Sequence, residues 1–122
     1  MNKVILIGNL GRDPECTSLP GSGTRVANFS LAVNDIYSGT DGERKEKTTW
    51  VPCKAYGKVA EIVENNLHKG SRVALEGKLT VETWDDKQNP GQTKSQMKTI
   101  VDRIEFLSTK TVESGENNPE PF

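Results

Sequence analysis

Apolar and polar residues alternate with a period of two along most of this chain. Residues 25–37 are the clearest case: Ala27, Phe29, Leu31 and Val33 fall on one parity, Asn28, Ser30 and Asn34 on the other. That spacing predicts a half-buried strand. Val4 to Ile7 is continuously β-prone and predicts a strand over 3–10. Residues 48–56 predict a third, in which Pro52 suggests an edge or a bulge. Arg72 to Trp84 predicts a long fourth strand with Val73, Leu75, Leu79 and Val81 as its apolar face. A fifth spans 95–107 with Met97, Ile100, Val101, Ile104 and Phe106; its parity slips between Met97 and Ile100, which predicts a bulge there. The period changes only between Lys58 and Lys69, where Val59, Ile62, Val63 and Leu67 make a helical stripe ending before Gly70. Gly11–Thr24, Ser38–Lys47 (with Asp41-Gly42 at its tip) and Asp85–Gln92 read as loops.

Three strands, a helix and two strands is the order of an OB-fold. The predicted class is therefore all-β: a five-stranded Greek-key barrel with one helix between strands 3 and 4. Residues 1–110 form this domain. Residues 111–122 have no periodicity and turn to Glu, Asn, Gly and Pro, the composition of a disordered tail.

The aromatic residues do not follow the core. Trp50, Lys54 and Tyr56 share one face of the third strand, opposite Cys53. Trp84 falls on the polar parity of the fourth strand with Arg72, Lys78 and Thr80, and Tyr37 closes the second strand just before a loop. Flat rings beside cations on an exposed face suit stacking on unpaired nucleic-acid bases. The same rings would equally suit a second sheet or a subunit interface, and parity alone leaves both readings open.

Composition narrows the classes. At 122 residues the chain fits one domain, and 33% hydrophobic content supports a small core. No apolar run approaches the ~18 residues of a membrane span, and the N-terminus lacks a signal-peptide pattern, so a cytoplasmic location is expected. Cys16 and Cys53 are far apart and outside any CxxC pair, which argues against zinc. A single histidine, His68, expected at the helix end, cannot build a hydrolytic triad or a metal cluster. Gly21-Ser22-Gly23 is no dinucleotide fingerprint, no phosphate-cradling GxxxxGK[ST] is present, and Asp85-Asp86 reads as a solvated loop tip. No cofactor, metal or catalytic residue is expected, and the chain is read as a non-enzyme. Residues 1–110 carry all 16 Lys and Arg against 14 Asp and Glu, a net +2, while Glu113, Glu116 and Glu120 make the tail acidic. A nearly neutral body fits a binder that relies on stacking as well as on phosphate contacts.

Several ordered segments carry a family resemblance. They are Asn2–Gly11 followed by Asp13-Pro14-Glu15, Val26–Ala32, Thr49-Trp50, Tyr56-Gly57-Lys58, Leu67–Ser71, and Glu76–Leu79 ending at Trp84, with Pro121-Phe122 at the end. Over residues 2–107 the chain resembles the bacterial single-stranded DNA-binding proteins. The resemblance implies a homotetramer that wraps single-stranded DNA without sequence preference during replication, recombination and repair, associated with the nucleoid. It implies base stacking at Tyr37, Trp50, Tyr56 and Trp84 and phosphate contacts at Lys58 and Lys69, to which parity adds Lys54 and Lys78. It also implies that the tip, Glu120, Pro121 and Phe122, recruits replication, recombination and repair proteins. The chain departs from the family pattern at Val51, where a histidine is common, and at Thr80 and Glu82, on a strand face that is often basic. Its tail is also short. Two rivals are a primosome accessory protein working mainly through protein contacts, and an OB-fold nuclease, for which converging carboxylates are wanting.

Overall fold

A computed structural model describes residues 1–107. In chain order the elements are β1 (Val4–Leu10), β2 (Glu15–Ser18), β3 (Arg25–Ser38), β4 (Arg44–Tyr56), α1 (Gly57–Asn66), β5 (Arg72–Asp85) and β6 (Thr93–Leu107). The expected domain boundary at 110, the tail over 111–122 and the tip residues Glu120, Pro121 and Phe122 lie outside the described residues.

The strands run in the order β1-β5-β6-β4-β3-β2, and β1 also pairs with β3. The β1–β3 contact, Asn9↔Ala32 and Leu10↔Leu31, closes five strands into a barrel. A short parallel seam, Cys53↔Thr99 and Lys54↔Ile100, joins β4 to β6. This is the expected OB-fold barrel, with α1 between the third and fourth of its five barrel strands. The sixth strand, β2, lies inside the segment read as a loop and pairs with the first residues of β3 through Glu15↔Asn28 to Ser18↔Arg25. Four residues with little apolar content leave no periodic signal. Backbone pairing to an edge of β3 holds β2, with Cys16 alone packing against the core.

Leu10, Phe29, Leu31, Cys53, Val73, Leu75 and Val101 fill the barrel, and Ala60 and Val63 from α1, with Leu67 just after it, close one end. The helix buries Ala60 and leaves Ile62 exposed, so the expected stripe is rotated toward its smaller members. Tyr56 is still extended and Gly57 has φ +62, a value glycine tolerates best, so strand passes to helix within one residue. The helix stops at Asn66 and not at Lys69. Leu67 turns extended to drop into the core while its N–H still bonds the Val63 carbonyl at 3.0 Å. His68 and Lys69 thus lie in the following turn, which Gly70 N–H pins to the Leu10 carbonyl at 2.9 Å.

Four further expectations change. The bulge falls in β6 at Asp102, because Glu76 pairs with Arg103 but Gly77 with Val101. Buried Val101 and half-buried Ile104 therefore change parity across Asp102, and Met97 is exposed. Leu79 and Val81 keep the parity of Val73 and Leu75 but are exposed, since the β5–β6 ribbon outruns the barrel there. The 38–47 loop shrinks to a tight turn: Gly39 N–H bonds the Glu43 carbonyl, and Arg44 to Lys47 already belong to β4. Pro52 sits where β4 pairs with β3 alone, one residue before the β6 seam begins, so its missing donor is tolerated. Asp86, read as solvated, organises the β5–β6 turn: its carboxylate accepts from Gln88 N–H at 3.0 Å and from the Asn89 amide at 2.8 Å.

Candidate nucleic-acid interface

Continuous antiparallel register between β3 and β4 places Ala32 opposite Trp50, Ser30 opposite Pro52, Asn28 opposite Lys54 and Val26 opposite Tyr56. Trp50, Lys54 and Tyr56 therefore share one face, as their parity requires. Register between β5 and β6 places Lys78 opposite Ile100, Thr80 opposite Lys98, Glu82 opposite Gln96 and Trp84 opposite Lys94. Lys78 and Trp84 share the face that carries Lys94 and Lys98. A side-chain bridge joins the two ribbons: Lys54 Nζ donates to Glu82 Oε2 at 2.7 Å, and Lys98 Nζ lies 2.9 Å from Glu82 Oε1. These bonds, from Lys54 first and then Lys98, hold the Glu82 carboxyl below the usual carboxylate range. The bond to Glu82 raises the Lys54 ammonium in turn.

The rings are available to a partner. Trp50 is 58% exposed, Trp84 44% and Tyr56 40%. Trp50 rests on Gly11, where an added Cβ would lie 2.4 Å from its ring, so the ring is backed by bare backbone and flanked by Arg12 and Ser30. Lys54 Nζ stands 5.5 Å from the Tyr56 ring centroid, within cation–π range. A polar groove of about 280 Å³ continues the surface between Arg12, Asn28, Pro52, Gln96 and Lys98.

Not every expected residue joins this face. Tyr37 is half exposed but pairs with Lys45 on the parity of Phe29 and Leu31, so it lies on the opposite face of the β3–β4 ribbon, beyond the barrel. Lys58 is exposed in the first turn of α1, next to Tyr56 in the chain. Lys69 is exposed in the turn after α1, where its backbone N–H bonds Asp13 at 2.7 Å. Arg12, Lys94, Gln96 and Lys98 were missed by sequence reasoning. The last three alternate, and pairing β6 back onto β5 across the Asp85–Gln92 turn would have placed them. Both cysteines are free. Burial pushes the Cys53 thiol up to about 12. Among the described residues no group of three His, Cys, Asp or Glu is placed to hold a metal, and no helix is long and apolar enough to cross a membrane.

Residues 1–107 match the model of the single-strand binding protein family. The chain belongs to that family. The single-strand binding protein family is one of DNA-binding proteins that are not enzymes, and this chain is likewise not an enzyme. A single-stranded DNA-binding protein of Helicobacter hepaticus is 37% identical over 118 residues, covering 97% of this chain and 66% of the relative. One from Wolinella succinogenes is 36% identical over 114 residues, covering 93% and 68%. The chain thus spans about two thirds of the length of these relatives. Among solved structures, an SSB of Plasmodium falciparum in complex with single-stranded DNA superposes with a TM-score of 0.77 at 32% identity, covering 88% of this chain and 96% of that one. A deletion mutant of the single-stranded DNA-binding protein of Thermus aquaticus superposes with a TM-score of 0.77 at 27% identity, over 90% of this chain and 52% of that one.

Proposed function

We propose that this protein binds single-stranded DNA without sequence preference and protects it during replication, recombination and repair. The observation that carries the reading is one exposed face with Trp50, Tyr56 and Trp84 interleaved with lysines, in a chain that superposes on a Plasmodium falciparum SSB solved in complex with single-stranded DNA. Every base offers a π-face, so rings of this kind hold any sequence. Duplex DNA hides those faces. Lys58, Lys69 and Lys78 supply attraction for the backbone, while Lys54, tied to Glu82, stands beside the Tyr56 ring. Tyr37 serves a strand that continues around the β3–β4 arm onto its other side. The working form is a homotetramer. Ile5 and Ile7 stand exposed on β1, and among the described residues the side of β1 away from β5 is paired only at Asn9 and Leu10. An apolar edge strand of this kind suits pairing with a second copy. Glu120, Pro121 and Phe122 recruit replication, recombination and repair proteins, a role that rests on the sequence of the tip.

Titration with oligo(dT) while following tryptophan emission tests the binding. Strong quenching is expected, because two tryptophans would lie under bases. Affinity for duplex DNA equal to that for oligo(dT) would overturn the stacking mechanism.

A further inference from the structure

We propose that Glu82 is a resident competitor for phosphate, holding Lys54 and Lys98 so that the binding face grips nucleic acid by its bases more than by its backbone. The inference rests on the single-strand reading above and deepens it at one position. Glu82 accepts from Lys54 through Oε2 at 2.7 Å and meets Lys98 through Oε1 at 2.9 Å, so one carboxylate occupies both ammoniums. The three side chains are half-buried between β4, β5 and β6, which screens the pairs less than water screens surface ion pairs. The cluster has a net charge of only +1. It lies on the same face as Trp84, two residues along β5, and as Tyr56, two residues along β4.

Lys98 also lines the polar groove beside Gln96 and Arg12, so the cluster stands on the path of a strand crossing from one ribbon to the other. Held below the usual carboxylate range by Lys54 and Lys98, Glu82 stays ionised throughout the neutral range. A phosphodiester reaching Lys54 or Lys98 therefore has to displace a carboxylate that already occupies the site. Binding then releases fewer counterions than the lysines on the face would suggest. Base stacking is left untouched, because the carboxylate competes for N–H donors and not for rings.

The test is the salt dependence of oligo(dT) binding by the full chain. In Glu82→Gln both lysines keep their reach and lose their anion. The slope of log K against log salt is expected to steepen by about 0.7 for each lysine released, up to about 1.4, or roughly seven-fold more loss of affinity between about 0.05 and 0.2 M salt. At low salt the variant binds more tightly than the wild type. An unchanged slope, or weaker binding by a variant that melts like the wild type, would overturn the proposal and make Glu82 a scaffold for the two lysines. Lys54→Gln and Lys98→Gln give a second reading that needs no change at Glu82. Each should leave the wild-type slope nearly unchanged, and a drop of about 0.7 in either would show that the lysine already grips phosphate. A wild-type protein that fails to bind oligo(dT) at all would remove the single-strand reading itself, a result distinct from all of these.

Discussion

Trp50 shows how a single side chain reconciles exposure with rigidity. Its ring lies over Gly11, and any side chain at residue 11 would collide with it. Trp50→Ala is expected to weaken oligo(dT) binding by about 1–3 kcal/mol with the melting temperature nearly unchanged, and Trp84→Ala to do the same. Gly11→Ala should weaken binding while both tryptophans remain, because the Trp50 platform has to move. Titration of the three variants against one oligonucleotide checks this; normal affinity in Gly11→Ala would mean that the ring adapts freely. Leu31 is the contrasting case, fully buried in the barrel. Leu31→Ala should cost about 2–5 kcal/mol of stability in denaturant melts, through lost burial and the cavity left behind. Alternation alone identified Phe29 and Leu31 as core, and Trp50 and Tyr56 as facing away from it. It could not show that Glu82 ties two ribbons together, because that contact depends on where β4 and β6 meet.

Elements were legible where the period was long and clean. The long stretches of β3 and β5 and the existence of α1 follow from their spacing, whereas ends and irregularities follow from partners elsewhere in the chain. Helix α1 ends early because Leu67 has a core to enter. The bulge sits at Asp102 because the β5–β6 register changes there, and the unbroken apolar parity of β5 extends past the point where the barrel has anything to cover. The turn between β5 and β6 yields a test at this scale. Its Asp86 carboxyl is held below the usual carboxylate range first by the Asn89 amide and then by Gln88 N–H. A folded-state value below the unfolded one means that the turn's stabilisation is complete above the unfolded value and is lost as pH falls through the folded one. Protection of the Gln88 amide, followed by hydrogen exchange corrected for the intrinsic rate, should therefore decline only in strongly acidic solution. Asp86→Ala should lose that protection at neutral pH. Equal protection in both proteins would remove Asp86 as the organiser of the turn.

For the whole molecule, the proposed function turns on assembly and recruitment. Sedimentation at micromolar concentration should give a tetramer, and Ile5→Glu with Ile7→Glu should shift it toward smaller species by placing charge on the β1 edge. A wild-type protein that sediments only as a monomer would overturn the assembly. Deleting residues 113–122 removes three glutamates and should leave oligo(dT) binding intact or slightly stronger, while capture of replication and repair proteins from a bacterial lysate is lost. Phe122→Ala should reproduce that loss alone, since an apolar ring preceded by Pro119, Glu120 and Pro121 suits a pocket with a basic rim. Identical captures by truncated and full-length protein would end the recruiting role.

The Cys53 thiol turns the barrel into its own clock. Its burial pushes the thiol up to about 12, so a disulfide reagent finds almost no thiolate there until the barrel opens. Cys16, on β2, is half-buried and should react first. The slow phase of labelling then measures how often the closed barrel comes apart. A strand that binds only the closed form suppresses opening by mass action, and free oligo(dT) at about 100 times its Kd should slow Cys53 labelling about a hundred-fold. Occupancy of the binding face would thus be recorded as a rate at a sulfur atom on the other side of the sheet.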